Sequence, residues 1–229
     1  MAILIALAVF PSIYLLLAIY KQDKIEKEPS SLIIKLFIFG GIAAFLAGTL
    51  EEYGQSVLNL FTINNDRTYI ILFAFLVVGV IEEGLKFIFL KKLTWNHPAF
   101  NYRFDAIVYA VSISLGFAAL ENILYVFSYG LSVVIPRALL AIPAHTGFAV
   151  FMGSYYGRAK LAYEKDKKSY SNWLLFLGYT FAVFLHGFYD ACAMINEPVF
   201  TYIFMVFVVL MYIIVIRKVR KESKTDSLV

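Results

Sequence analysis

Seven stretches of about 20 mainly apolar residues divide this sequence, and a chain built that way has few folds open to it. They run over 2–20, 32–50, 69–90, 104–127, 131–156, 172–194 and 199–216. At 1.5 Å of rise per residue each can cross a bilayer core as a helix. Lipid offers no hydrogen-bond partners, so a spanning backbone must satisfy itself within the helix. The short alternating strands of a membrane barrel are missing. The composition agrees: 61% of residues are hydrophobic, against about half in a soluble domain. The expected fold is all-α, a polytopic transmembrane helix bundle of seven spans in the cell membrane.

Charge placement sets the expected orientation. The net charge is +4, but the basic residues sit in short clusters between apolar runs, a topology signal rather than a nucleic-acid patch. Lys21, Lys24 and Lys27 follow the first stretch. Lys91, Lys92 and Arg103 follow the third, and Arg158, Lys160, Lys165, Lys167 and Lys168 follow the fifth. Arg217, Lys218, Arg220, Lys221 and Lys224 follow the last. The intervening segment 51–68 holds only Arg67, and 195–198 holds no basic residue. The N-terminus is therefore expected outside and the C-terminus in the cytoplasm, with one transmembrane domain over 1–216 and a frayed, solvated basic tail over 217–229. The first stretch has no positive start and no small-residue cleavage site, so it reads as a retained span. Segment 51–61 reads as a short interfacial helix, with Glu51 and Glu52 solvated. The Ser128–Tyr129–Gly130 link implies a tight antiparallel hairpin. Gly40, Gly41 and Gly48 imply close helix packing. Cys192 has no partner in the chain for a disulfide.

An ionisable residue within a span costs roughly 3 kcal/mol on insertion scales. Four spans here carry Glu82, Glu83, Lys86, Glu121, His145, His186 and Asp190. From the helical rise, Glu82, Glu121, His145 and His186 all lie well inside their spans and could share one layer at mid-membrane or somewhat outside it. Four independent charges have no reason to converge in depth. Residues four apart share a helix face, which pairs Glu82 with Lys86 and His186 with Asp190. Glu82 and Glu83 differ by about 100° around the axis, so they are not expected to point at one atom. Carboxylates and imidazoles in an apolar cleft suffice to activate water, stabilise an oxyanion and protonate a leaving amine. Ser112, Ser114 and Cys192 form no nucleophile arrangement. No cofactor is required by this set. Zinc is the alternative, held by His145, His186, Glu82 and Glu121, although H-E-x-x-H is absent. The same residues could instead serve a proton-coupled transporter, or stand in a non-catalytic scaffold.

Four motifs carry a family resemblance. IEEGLK at 81–86 resembles the E-E-x-x-K motif of PrsW-type intramembrane proteases, and FAALEN at 117–122 resembles their F-x-x-x-E motif. HTGFAVFMGSYYG at 145–157 looks like their His-led helix, and HGFYDA at 186–191 resembles H-x-x-x-D. Asp105 and Tyr109 also fit. The family is related to the CAAX prenyl endopeptidases. The resemblance implies Glu82 as general base and His186 as oxyanion or water ligand. It implies Glu83, Glu121, His145 and Asp190 as further groups around the water, with Lys86 and Asn122 in support. It also implies a membrane-anchored substrate, an anti-sigma factor cut first on the outer side.

Overall fold

A backbone in lipid must bond to itself, and the computed structural model, which describes residues 2–61 and 67–229, is helical almost throughout. In order, the α-helices are α1 (Ala2–Gln22), α2 (Ser30–Leu58), α3 (Arg67–Leu72), α4 (Val80–Thr94), α5 (Asp105–Tyr129), α6 (Val134–Pro136), α7 (Ile142–Glu164), α8 (Lys168–Met194) and α9 (Pro198–Lys224). A π-helical segment, Phe73–Gly79, joins α3 to α4, and another, Arg137–Ala141, joins α6 to α7. Among the described residues no strand exceeds an isolated bridge. Five helical stretches are long and apolar enough to cross a membrane. One of them, 105–164, takes in both the expected fourth and fifth spans. The expected third falls on α3, the π segment and α4, none of which reaches that length alone.

Burial separates the interior helices from the lipid-facing ones. In the most apolar window of the 105–164 run 78% of residues are buried, against 17% in those of α1 and α9. Their exposed Ile3, Phe10, Leu17, Val206 and Leu210 form an apolar exterior that water would not tolerate over so large an area. α5 packs against α1, α2 and α7, and α7 packs in turn against α8. Where α2 crosses α5, a Cβ on Gly40 would lie 2.0 Å from the Ile113 carbonyl oxygen, and one on Gly116 would lie 1.9 Å from that of Phe37. Only glycine permits that approach, as expected for Gly40. Gly41 meets only ordinary contacts, and Gly48 has nothing within 4 Å of its added Cβ, so it opens space rather than closing it.

The chain reverses at Gly130, whose φ of 76° favours a residue without a side chain. α7 returns antiparallel to α5, with Ser114 Oγ donating to the His145 carbonyl at 2.9 Å and Gly153 lying against Ala106.

Two expectations need correction. Segment 51–61 is no separate interfacial helix, since α2 continues unbroken to Leu58. The tail is not frayed: α9 runs to Lys224, and Val229 N–H donates to Asn101 O at 2.9 Å and Arg103 N–H to Ser227 O at 3.0 Å. Glu222 anchors that end of α9, accepting from Ser154 Oγ at 2.8 Å, Arg103 at 2.8 Å and Arg158 at 2.9 Å. Buried hydrogen-bond partners, invisible in a run of basic residues, hold the segment down.

Candidate active site

α4, α5, α7 and α8 each bring ionisable side chains to one buried locus. The π segment before α4 and the one before α7 widen the turns that lead into Glu82 and His145, and such turns recur at functional sites because they re-aim the side chains of the next turn.

Glu82 and Glu83 do share a partner, contrary to the expectation from their angular separation. The long Lys86 side chain reaches between them, its ammonium 3.0 Å from Glu82 Oε2 and 2.8 Å from Glu83 Oε1. It sits 3.9 Å from the centre of the Phe117 ring as well. A third contact, 3.2 Å to His145 Nδ1, fixes that ring's tautomer. An ammonium only donates, so Nδ1 accepts and the proton rests on Nε2. That Nε2–H donates to Glu121 Oε2 at 3.0 Å.

His186 joins the network from α8. Its Nδ1 lies 2.9 Å from Glu83 Oε1. Its Nε2 faces Asp190 Oδ2 at 3.4 Å and Glu82 Oε2 at 3.8 Å. Asp190 is one turn along, as the spacing predicts, but Glu83 is the closer orienting partner. Phe148 stacks on the imidazole with ring centres 4.9 Å apart.

The locus opens on a cavity of about 360 Å³ walled by Glu51, Glu82, Glu121, His145, His186 and Asp190, with Arg137, Phe117 and Phe148. Glu83, Lys86 and Asn122 stay behind its wall. Asn122 supports at a distance: its Oδ1 accepts from Arg137 Nε at 2.8 Å, and its Nδ2 donates to Ala8 O at 2.7 Å. A second hollow of about 410 Å³ adjoins the first across Arg137, Tyr189 and Asp190.

Two charged members of the wall are not among the residues expected from sequence. Glu51 is half-buried rather than fully solvated; it extends a face of small residues, Gly40, Ala44, Ala47 and Gly48, by one more turn of α2 into the cavity. That stripe was its signal. Arg137 pairs with Glu121 Oε2 at 3.0 Å. A lone arginine within an apolar stretch on the side poor in basic residues was the signal there.

One donor atom from each of Glu82, Glu83, His145 and His186 lies within 4.8 Å of the other three, a mixed nitrogen and oxygen set that zinc accepts. The set differs from the expected one by having Glu83 in place of Glu121. Yet the Lys86 ammonium already contacts three of the four, so as arranged the residues hold an internal cation where a metal would centre. The site in this state does not fit a metal.

Residues 28–216 match the model of a family described as PrsW family intramembrane metalloprotease. The protein named Protease PrsW of Geobacillus kaustophilus is 35% identical over 220 residues, covering 96% of this chain and 92% of its own. That of Shouchella clausii is 32% identical, covering 98% and 99%, and that of Bacillus subtilis is 31% identical, covering 98% of each. No solved structure matches the chain at a significant level.

Proposed function

This chain belongs to the PrsW family of intramembrane proteases, and from that premise we propose that Glu82 and His186 activate a water molecule against a peptide bond of a membrane-anchored protein. The chain is a membrane peptidase and a multi-pass membrane protein, and the transporter alternative is not favoured. The observation that carries the mechanism is the 3.8 Å between Glu82 Oε2 and His186 Nε2 on one cavity wall, close enough for a single water to bond both.

Glu82 takes a proton from the water, and the hydroxide attacks the scissile carbonyl carbon. His186 acts as an imidazolium: its Nδ1–H donates to Glu83 and its Nε2–H donates to the oxyanion. Glu82 then passes its proton to the amide nitrogen, the oxyanion re-forms the carbonyl, and the C–N bond breaks to release the amine and leave a carboxyl group. Lys86 keeps two adjacent carboxylates together in the low-dielectric interior. Glu121, held by Arg137, orients His145, and Asp190 and Glu51 add acceptors around the water. No step is routed through a metal.

The substrate is an extended segment leaving a transmembrane helix, and the two adjoining hollows give it a path past Arg137 and Asp190. Seven spans with the N-terminus outside follow from the basic clusters, with 1–216 as one protease domain and 217–229 on the cytoplasmic side. In that orientation the cavity lies toward the outer leaflet, in keeping with site-1 cleavage of an anti-sigma factor.

The test is cleavage of a membrane-anchored anti-sigma factor by the purified chain. Glu82→Gln and His186→Ala, each accumulating normally in the membrane, are expected to lose about 10²–10⁴-fold in rate, and a chelator is expected to leave the wild type active. Unimpaired cleavage by both variants would overturn the catalytic assignment. Chelator-sensitive activity restored by zinc would overturn its metal-free form.

A further inference from the structure

A second set of buried carboxylates lies at the far end of α5. Asp105 opens that helix and Glu121 stands sixteen residues along it, so the two sites are roughly 24 Å apart by helical rise. Asp23 and Glu28, in the connection between α1 and α2, meet Asp105 there, with one carboxylate oxygen of each within 4.8 Å of the others. All three residues are buried, at 1%, 2% and 0% exposure.

Their hydrogen bonds do not discharge them. Asp105 Oδ2 accepts from the Asn101 and Tyr102 amides at 3.0 and 2.7 Å, but Oδ1 has no donor. Glu28 Oε2 accepts from the Tyr109 hydroxyl. Asp23 Oδ2 has no donor either. The nearby Lys27 directs its amine to the backbone carbonyls of Tyr20 and Asp23 rather than to a carboxylate. Glu26 and Asp226, close by, add negative charge. Burial pushes the Asp23 carboxyl up to about 6 and that of Glu28 up to about 7, a sign of how poorly the pocket tolerates its own charge.

The Lys27 charge offsets part of this, but three carboxylates with two unbonded oxygens in a dry pocket call for a further positive partner. We propose that Asp23, Glu28 and Asp105 bind a hard divalent cation, calcium or magnesium, that ties the α1–α2 connection to the foot of α5. The all-oxygen donor set suits these ions rather than zinc. The site is independent of the peptidase chemistry.

The experiment uses the full chain in detergent at pH 8, stripped with a chelator and titrated with Mn²⁺, free Mn²⁺ being followed by electron paramagnetic resonance. One equivalent is expected to bind, to be displaced by calcium or magnesium, and to bind at least tenfold more weakly to Asp23→Asn and Glu28→Gln. Glu82→Gln, altered in the other cluster, is expected to bind as the wild type does. Saturating calcium or magnesium is expected to raise the thermal midpoint of the wild type but not of Asp23→Asn. Absence of saturable binding, or binding lost in Glu82→Gln and kept in both loop variants, overturns the proposal. So does an Asp23→Asn protein more stable than a cation-insensitive wild type, which would assign protons to the cluster instead.

Discussion

Replacing Lys86 by methionine tests the buried network most directly. Its ammonium is 2% exposed and touches Glu82, Glu83 and His145 within 3.2 Å. Methionine keeps the length and most of the apolar contact with Phe117 but removes the charge. Two carboxylates, at 7% and 1% side-chain exposure, then share the interior without that cation. Removing one partner of a buried ion pair costs about 3–5 kcal/mol, which at this chain length corresponds to a fall of on the order of 10 °C in thermal midpoint. The assay is thermal unfolding in detergent, read by fluorescence-detected size exclusion. Lys86→Met/Glu83→Gln carries the control, because discharging Glu83 as well removes part of the penalty. The double variant is expected to recover stability relative to Lys86→Met, a coupling of at least about 1 kcal/mol between the two positions. A Lys86→Met protein as stable as the wild type, or two losses that simply add, would refute the reading of Lys86 as the internal counter-ion.

Glu51→Gln is expected to accumulate normally and to slow cleavage about tenfold, because the side chain borders the cavity without joining the Lys86 network; an unaltered rate in the cleavage assay would return Glu51 to the solvated role its sequence position suggests. Glu222→Gln is expected to lower stability by about 1–3 kcal/mol, since it weakens charge-assisted bonds to Arg103 and Arg158 at once; thermal unfolding measures it, and an unchanged midpoint would mean that α9 is held by its apolar face alone.

Apolar run length and the placement of charged residues made the helical class and the membrane setting legible. The four polar helices were legible for the same reason, since Glu82, Glu121, His145 and His186 are each costly in lipid unless they meet. Two kinds of information were not. One is reach: helical phase separates Glu82 from Glu83, but it does not describe a four-carbon lysine arm that bends between them. The other is continuity: α2 carries Glu51 past the end of its most apolar part, and hydropathy falls there even though the helix does not stop. The order of the tail is hidden for a related reason. Its basic residues look solvated, while Glu222 and Ser223 among them are buried by contacts distant in sequence.

An unbroken relay of polar contacts crosses the bundle, from His186 through Glu83, Lys86, His145, Glu121 and Arg137 to Asn122 and the carbonyl of Ala8. It enlists side chains from four long helices and the turn before α7, and ends on the backbone of a fifth. Under the proposed mechanism, a chain with only some of those helices inserted would lack the Glu82–His186 pairing, and hydrolysis would begin only once the whole bundle had assembled.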